Sequence, residues 1–259
     1  MVHLYFIGAM TINFFVFSLF AAKYKQIEFD KRFKPHKIAR PFFFMKTTPS
    51  SLRKGDQTKA AILLEALAIA NRDGLQGLTI AAIAERCAMS KSGVFSHFGS
   101  REELQIGVVE EYHRRFQAAV FTPAMRADKG LPRLTALFDY WVTEVSHEAD
   151  AGSIYISGAV EFDERQGPVR DALVHSIGTW LSALERATRA AVAANHLKAD
   201  VDTAQLVFEM HALILALHHD ARFLRRPMSQ TRAHQGFLRL IQTYSSPRTR
   251  LPPPTSPVI

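Results

Sequence analysis

The sequence predicts an all-α chain, and three observations carry that prediction. Apolar residues recur at helical spacing between residues 57 and 244, strand-type alternation is nowhere sustained, and Gly, Pro and capping residues cut the chain into helix-sized segments. With 259 residues, 47% hydrophobic and 22% charged, the chain is an ordinary foldable one with room for one or two domains.

The first helix runs from about Gln57 to Arg72, with Ile62, Ala66, Ile69 and Ala70 on one face, and Gly74 and Gly77 end it. A short second helix opens at Thr79, whose hydroxyl can accept from the unpaired N–H groups of the next turn, and Ile80, Ile83 and Ala84 share its inner face. Cys87, Ala88 and Met89 are too few for anything but a turn. Ser90 then caps a third helix reaching about Phe98, with Met89, Val94 and Phe98 able to point inward. A fourth helix opens at Ser100, carries Glu102 and Glu103 in its first turn where the dipole favours acids, and continues towards Phe121 until Pro123 stops it. Five more helices follow, roughly 132–147, 154–164, 168–195, 203–224 and 230–244, with Gly152, Gly167–Pro168, Asp202 and Pro227 between them.

Helix, tight turn and helix between Thr79 and Leu104 form the layout of a helix-turn-helix DNA reader. The third helix turns Ser90, Lys91, Ser92, Gly93, Phe95, Ser96 and His97 outward, small or polar groups that let a helix sink towards base edges and phosphates. Gly93 inside a helix costs about 1 kcal/mol relative to Ala, which asks for a reason such as close approach of a DNA backbone.

These residues resemble the TetR-type transcriptional regulators. The resemblance rests on the capping Thr79, Ile83–Ala84, Ser90, Lys91, Phe95, His97–Phe98 and Ser100-Arg101-Glu102, within Thr58 to Leu104. Three positions depart from the family pattern. Phe95 replaces the usual Tyr and lacks a phosphate-contacting hydroxyl, Gly93 replaces a small side chain that often touches bases, and Ala88 replaces the turn glycine. The last implies either modest strain or a turn that avoids positive φ.

The resemblance implies a three-helix helix-turn-helix DNA-binding domain over residues 57–104 and a helical effector-binding and dimerisation domain over 105–245. Lys91, Ser92, Gly93 and Ser96 are expected to approach bases, with Phe95 on the same surface, while Thr79, Ser90, His97 and Arg101 hold phosphates. Family members pair their last two long helices into a four-helix bundle, which gives Leu206, Met210, Leu213, Leu217, Phe237, Leu240, Ile241 and Tyr244 an expected place in the dimer interface. The helix after Asp202 is apolar over most of its circumference, so it must be covered on more than one side. Pairing two readers about a two-fold axis lets them read a palindromic double-stranded operator with half-sites roughly 34 Å apart. Trp141, Tyr155 and His211 are the expected lining of a mostly apolar pocket for an unidentified small effector.

Net charge is +8 and favours an anionic partner, but residues 1–44 hold seven bases against two acids and so carry +5 of it. Contact with DNA therefore depends on the placement of Arg53, Lys54, Lys59, Lys91, His97 and Arg101. The segment from Val2 to Ala22 has no Asp, Glu, Lys or Arg and is long enough to span a bilayer, with bases directly after it. Ten of the nineteen Phe precede Met45. Two readings stay open. Either translation starts at Met45, ahead of a polar arm over 45–56, and the protein is cytoplasmic, or residues 1–44 are a genuine inner-membrane anchor that makes the protein a helical sensor or adaptor.

Residues 246–259 are Pro-rich and read as a disordered or extended tail. The single cysteine, Cys87, suits packing in a reducing compartment. His211, His218, His219 and Asp220 read as ordinary imidazoles and acid, so no metal is expected. The sequence has no HExxH, CxxC, Walker-type or GxSxG pattern, and neither catalysis nor a cofactor is expected.

Overall fold

The computed structural model describes residues 54–247 and residue 249. The apolar segment 2–22, the rest of the N-terminal extension and most of the Pro-rich tail lie outside the described residues. The arm expected over 45–56 is described only from Lys54 onward, where it is already the first turn of a helix. Among the described residues there are nine substantial helices and one isolated β-bridge, between Leu197 and Ser245. No helix among them is long and apolar enough to cross a membrane.

In chain order the helices are α1 Lys54–Asp73, α2 Ile80–Arg86, α3 Lys91–Phe98, α4 Arg101–Phe116, α5 Leu131–Ala151, α6 Ile154–Glu161, α7 Pro168–Ala193, α8 Thr203–His218 and α9 Ser229–Tyr244. The caps sit where small polar residues precede each apolar run. Thr79, Ser90 and Ser100 accept from Ala82, Gly93 and Glu103 N–H, each at 3.0 Å, and Asp202 Oδ1 accepts from both Ala204 and Gln205. Gly130, Gly152 and Gly167 adopt φ values of 96°, 104° and 130° at the breaks around α5 and before α7.

Pro123 does not stop the fourth helix. Its ring would clash with the carbonyl four residues back, and the chain answers with one wide turn, Gln117–Phe121, in which Thr122 N–H reaches Gln117 O before the short helical piece Thr122–Ala124. A second wide turn, His219–Phe223, ends α8.

α1 to α4 enclose a small core of Ile62, Ala66, Ile83, Val94, Phe98 and Leu104. α4 continues against α7, and α5, α7, α8 and α9 pack on one another around Phe138, Leu184, Met210, Ile214 and Phe237. The Phe138 and Phe237 rings stack at 4.1 Å, joining α5 to α9. The first residues of the tail are pinned: Ser246 N–H and Thr249 Oγ1 both donate to His196 O.

Candidate nucleic-acid interface and effector cavity

The reader is built from α2, a turn and α3. Met89 N–H donates to Ala84 O at 2.8 Å, closing the turn, and Ala88 takes φ of +51°, so the position where the family pattern has glycine carries modest strain. Ile83, Ala84, Val94 and Phe98 are buried, while Lys91, Ser92, Phe95 and Ser96 are exposed and with Ile80 line a shallow recess. Phe95 is 54% exposed, an unusual setting for a large ring and one that suits contact with a partner.

Ser90 and Thr79 are both engaged as caps; the Thr79 hydroxyl can take a second partner, and Ser90 Oγ also pairs with Ser92 Oγ at 3.1 Å. Gly93 has a local reason to lack a side chain as well: a Cβ there would lie 3.1 Å from Ser90 Oγ, so the glycine keeps room for the cap. His97 is half-buried and faces a second recess with Lys59, Phe98 and Glu103. Lys59 Nζ stands 5.3 Å from the centre of the Phe98 ring.

Arg101 has partners within the chain that the sequence did not show. Its Nε donates to Leu78 O at 2.6 Å and its Nη2 to Gln76 O at 2.5 Å, so its guanidinium holds the turn before α2. The turn Leu75–Leu78 is held from a second side. Glu161, the last residue of α6, accepts from Leu75 N–H at 3.2 Å and Gln76 N–H at 2.9 Å, and buried Gln105 donates to Leu75 O at 2.7 Å. The turn directly precedes the Thr79 cap of the reader.

The second site is a cavity of about 320 Å³ among α4, α5, α6, α7 and α8. Phe116, Trp141, Tyr155, Trp180 and His211 line it together with Glu148, so all three expected pocket residues are there. Its rings are packed edge to face, Trp180 standing 5.0 Å from Phe116 and 5.2 Å from Trp141. His211 stacks on Trp141 at 5.7 Å, and burial depresses its basicity.

Glu148 was not foreseen. It is 6% exposed, accepts from the Tyr112 hydroxyl, and burial pushes its carboxyl up to about 7. The Tyr112 hydroxyl, raised by burial and by the neighbouring acid, also pairs with Ser153 Oγ at 3.0 Å. Tyr155 OH pairs with His113 Nδ1. The sequence does carry a signal for Glu148: Trp141, Val145 and Glu148 fall at i, i+4 and i+7, which sets an acid on the apolar stripe of α5.

The residues expected at the dimer interface all pack within the chain, five of them fully buried and Leu213, Leu240 and Tyr244 half-buried. Leu206, Met210, Leu217, Phe237 and Ile241 are all buried in the chain's own core, and Leu213, Leu240 and Tyr244 pack against it, because α8 and α9 turn these stripes towards α5 and α7. A different face of α8, with Phe208, Ala212, Leu215 and Ala216, is apolar and exposed, and Phe223 stands beyond the helix end.

A helix-turn-helix reader joined to a helical body that encloses an aromatic cavity defines a DNA-binding regulator. Residues 62–106 match the family model described as bacterial regulatory proteins, tetR family, and residues 130–237 match that of the tetracyclin repressor-like C-terminal domain. The chain belongs to the TetR family of DNA-binding transcriptional regulators.

Solved structures share the fold at low identity. The TetR-family transcriptional regulator from Cytophaga hutchinsonii is 16% identical with a TM-score of 0.66, over 75% of this chain and 98% of that one. AibR, solved with isovaleryl coenzyme A and operator DNA, is 18% identical with a TM-score of 0.54, over 72% and 97%. A putative regulator from Saccharomonospora viridis in complex with choline is 17% identical with a TM-score of 0.57, over 72% and 96%. No curated protein matches the chain.

Proposed function

We propose that the protein is a homodimeric repressor that binds a palindromic operator through two α2–α3 readers and leaves it when a small apolar or aromatic effector fills the cavity. Lys91, Ser92, Gly93 and Ser96 approach base edges with Phe95 beside them, and Thr79, Ser90 and His97 reach phosphates. Residues 57–104 act as the reading domain and 105–245 as the effector and dimer domain.

The observation that carries the reading is the turn Leu75–Leu78. Glu161 ties it to α6, whose Tyr155, Ile156 and Ala159 line the cavity, and Arg101 and Gln105 tie it to α4. Any shift of α6 on filling the cavity pulls on the two N–H groups just ahead of the reader's cap. Effector and DNA then oppose one another with equal coupling in both directions. AibR was solved with both a ligand and operator DNA, which supports this pairing of sites. Choline and isovaleryl coenzyme A differ widely in size and charge, so the shared fold leaves the effector to be chosen by the residues of each cavity.

The second copy packs on the exposed stripe of α8, where Phe208 and Leu215 stand out to solvent, and on the outer face of α9. Footprinting of the purified full chain on the DNA upstream of its own coding sequence tests the reading. Protection of two half-sites about one helical turn apart is expected; protection of a single short site, or of none, contradicts it.

A further inference from the structure

We infer that the cavity takes an organic cation, an amine or quaternary ammonium group carried on an apolar or aromatic body; this rests on the reading of the cavity as the effector site. Two features point there independently. The walls are rings: Phe116, Trp141, Tyr155 and Trp180 line one space of about 320 Å³, near the lower end of small-ligand sites. Aromatic faces around a desolvated space attract a positive charge through their quadrupoles, most strongly at Trp.

The second feature is the acid among them. Glu148 Oε1 accepts from Tyr112, but Oε2 is buried without a hydrogen-bond partner. A buried acceptor left in that state costs about 1–3 kcal/mol, more if charged, and asks for a donor. A protonated amine supplies both the donor and the countercharge, and a quaternary ammonium supplies the countercharge alone.

The groups around Glu148 do not already serve this purpose. Glu144 on the same helix opposes its ionisation, as does the desolvation that dominates. Tyr112 from α4 and Tyr155 from α6 are both held protonated by burial, and burial lowers the basicity of His211 from α8. α7 contributes Ile177 and Trp180, which do not titrate. The hydroxyls of Tyr112 and Ser153 favour the carboxylate, and Arg222, in the wide turn after α8, which donates from Nη1 to the Glu148 carbonyl at 3.2 Å, favours it least, yet Glu148 stays well above the ordinary range. A neutral carbonyl ligand would instead use Glu148 as a protonated donor, and an anion would be repelled. Trp180 Nε1, also buried and unpaired, adds a place for one oxygen acceptor on the ligand body or for a water.

The test uses benzyltrimethylammonium and neopentylbenzene, which have one shape and differ in charge. Each is titrated into the full chain with the fluorescence of Trp141 and Trp180, its two tryptophans, as the reporter. In the wild type the cation should bind at least about tenfold tighter than the isostere, and its affinity should rise about tenfold from pH 6 to pH 8 as Glu148 loses its proton. Glu148→Gln should lose that preference and the pH dependence while still binding the isostere, which also shows that the variant is folded. If the variant does not fold, the wild-type preference for the cation over its uncharged isostere decides alone. Equal or tighter binding of the isostere, unchanged with pH, overturns the cation and leaves the cavity reading standing. Absence of any fluorescence response to either probe overturns both.

Discussion

Arg101 shows how a residue's identity can be legible while its partner is not. In the sequence it is one of the few cations near the reader, and phosphate contact follows from that. In the fold it donates to Gln76 O and Leu78 O. Arg101→Ala should therefore lower stability by about 1 kcal/mol, measured by urea unfolding, while leaving the salt slope of DNA binding unchanged. Lys91 points the other way: it is exposed on α3. Its replacement by Ala should weaken binding and reduce the salt slope by about one.

Glu148 carries the chain's clearest expected pH effect. Its folded-state carboxyl titrates at about 7 against an ordinary value of 4.5. A group whose folded value is raised contributes stability fully below the ordinary range and loses it as pH rises through the raised value. Stability should thus fall by about 3 kcal/mol between roughly pH 4.5 and pH 7 on account of this group, and Glu148→Gln should flatten that part of the profile.

At the scale of elements, the helices were largely legible because their ends are marked locally. Thr79, Ser90, Ser100 and Asp202 precede apolar runs and cap them, and each cap depends on atoms within three residues. What local sequence did not show is which stripe of a doubly apolar helix faces its own core. α8 carries one stripe with Leu206, Met210 and Leu217 and another with Phe208 and Leu215. Both are apolar, and only the positions of α5 and α7 decide between them. The wide turn at Gln117–Phe121 was missed for a related reason, since Pro123 permits either a stop or a bulge.

The Glu161 contact to the 75–78 turn is also tertiary, spanning 85 and 86 residues of sequence. Glu161→Gln should keep the fold but weaken the grip on Leu75 and Gln76 N–H. In DNA-binding titrations with and without a cavity ligand, the ligand-induced loss of DNA affinity should shrink several-fold. Unchanged coupling would remove Glu161 from the path.

Over the whole molecule, the proposed dimer gives a second copy two tasks: covering the outer stripe of α8 and setting the distance between readers. Phe208 is 68% exposed, so Phe208→Glu leaves the chain's own core untouched. The variant should sediment as a folded monomer and lose most of its operator affinity, because a single short reader contacts only a few base pairs. A variant that remains dimeric would move the interface elsewhere.

The central claim is that the outer face of α3 reads DNA. Its most direct test is the affinity of wild type, Lys91→Ala and His97→Ala for a footprinted upstream fragment, measured by fluorescence anisotropy across a salt series. The prediction is weaker binding for both variants at every salt concentration, with a shallower slope for Lys91→Ala. Two variants that bind with unchanged affinity and slope would contradict the assignment of this surface.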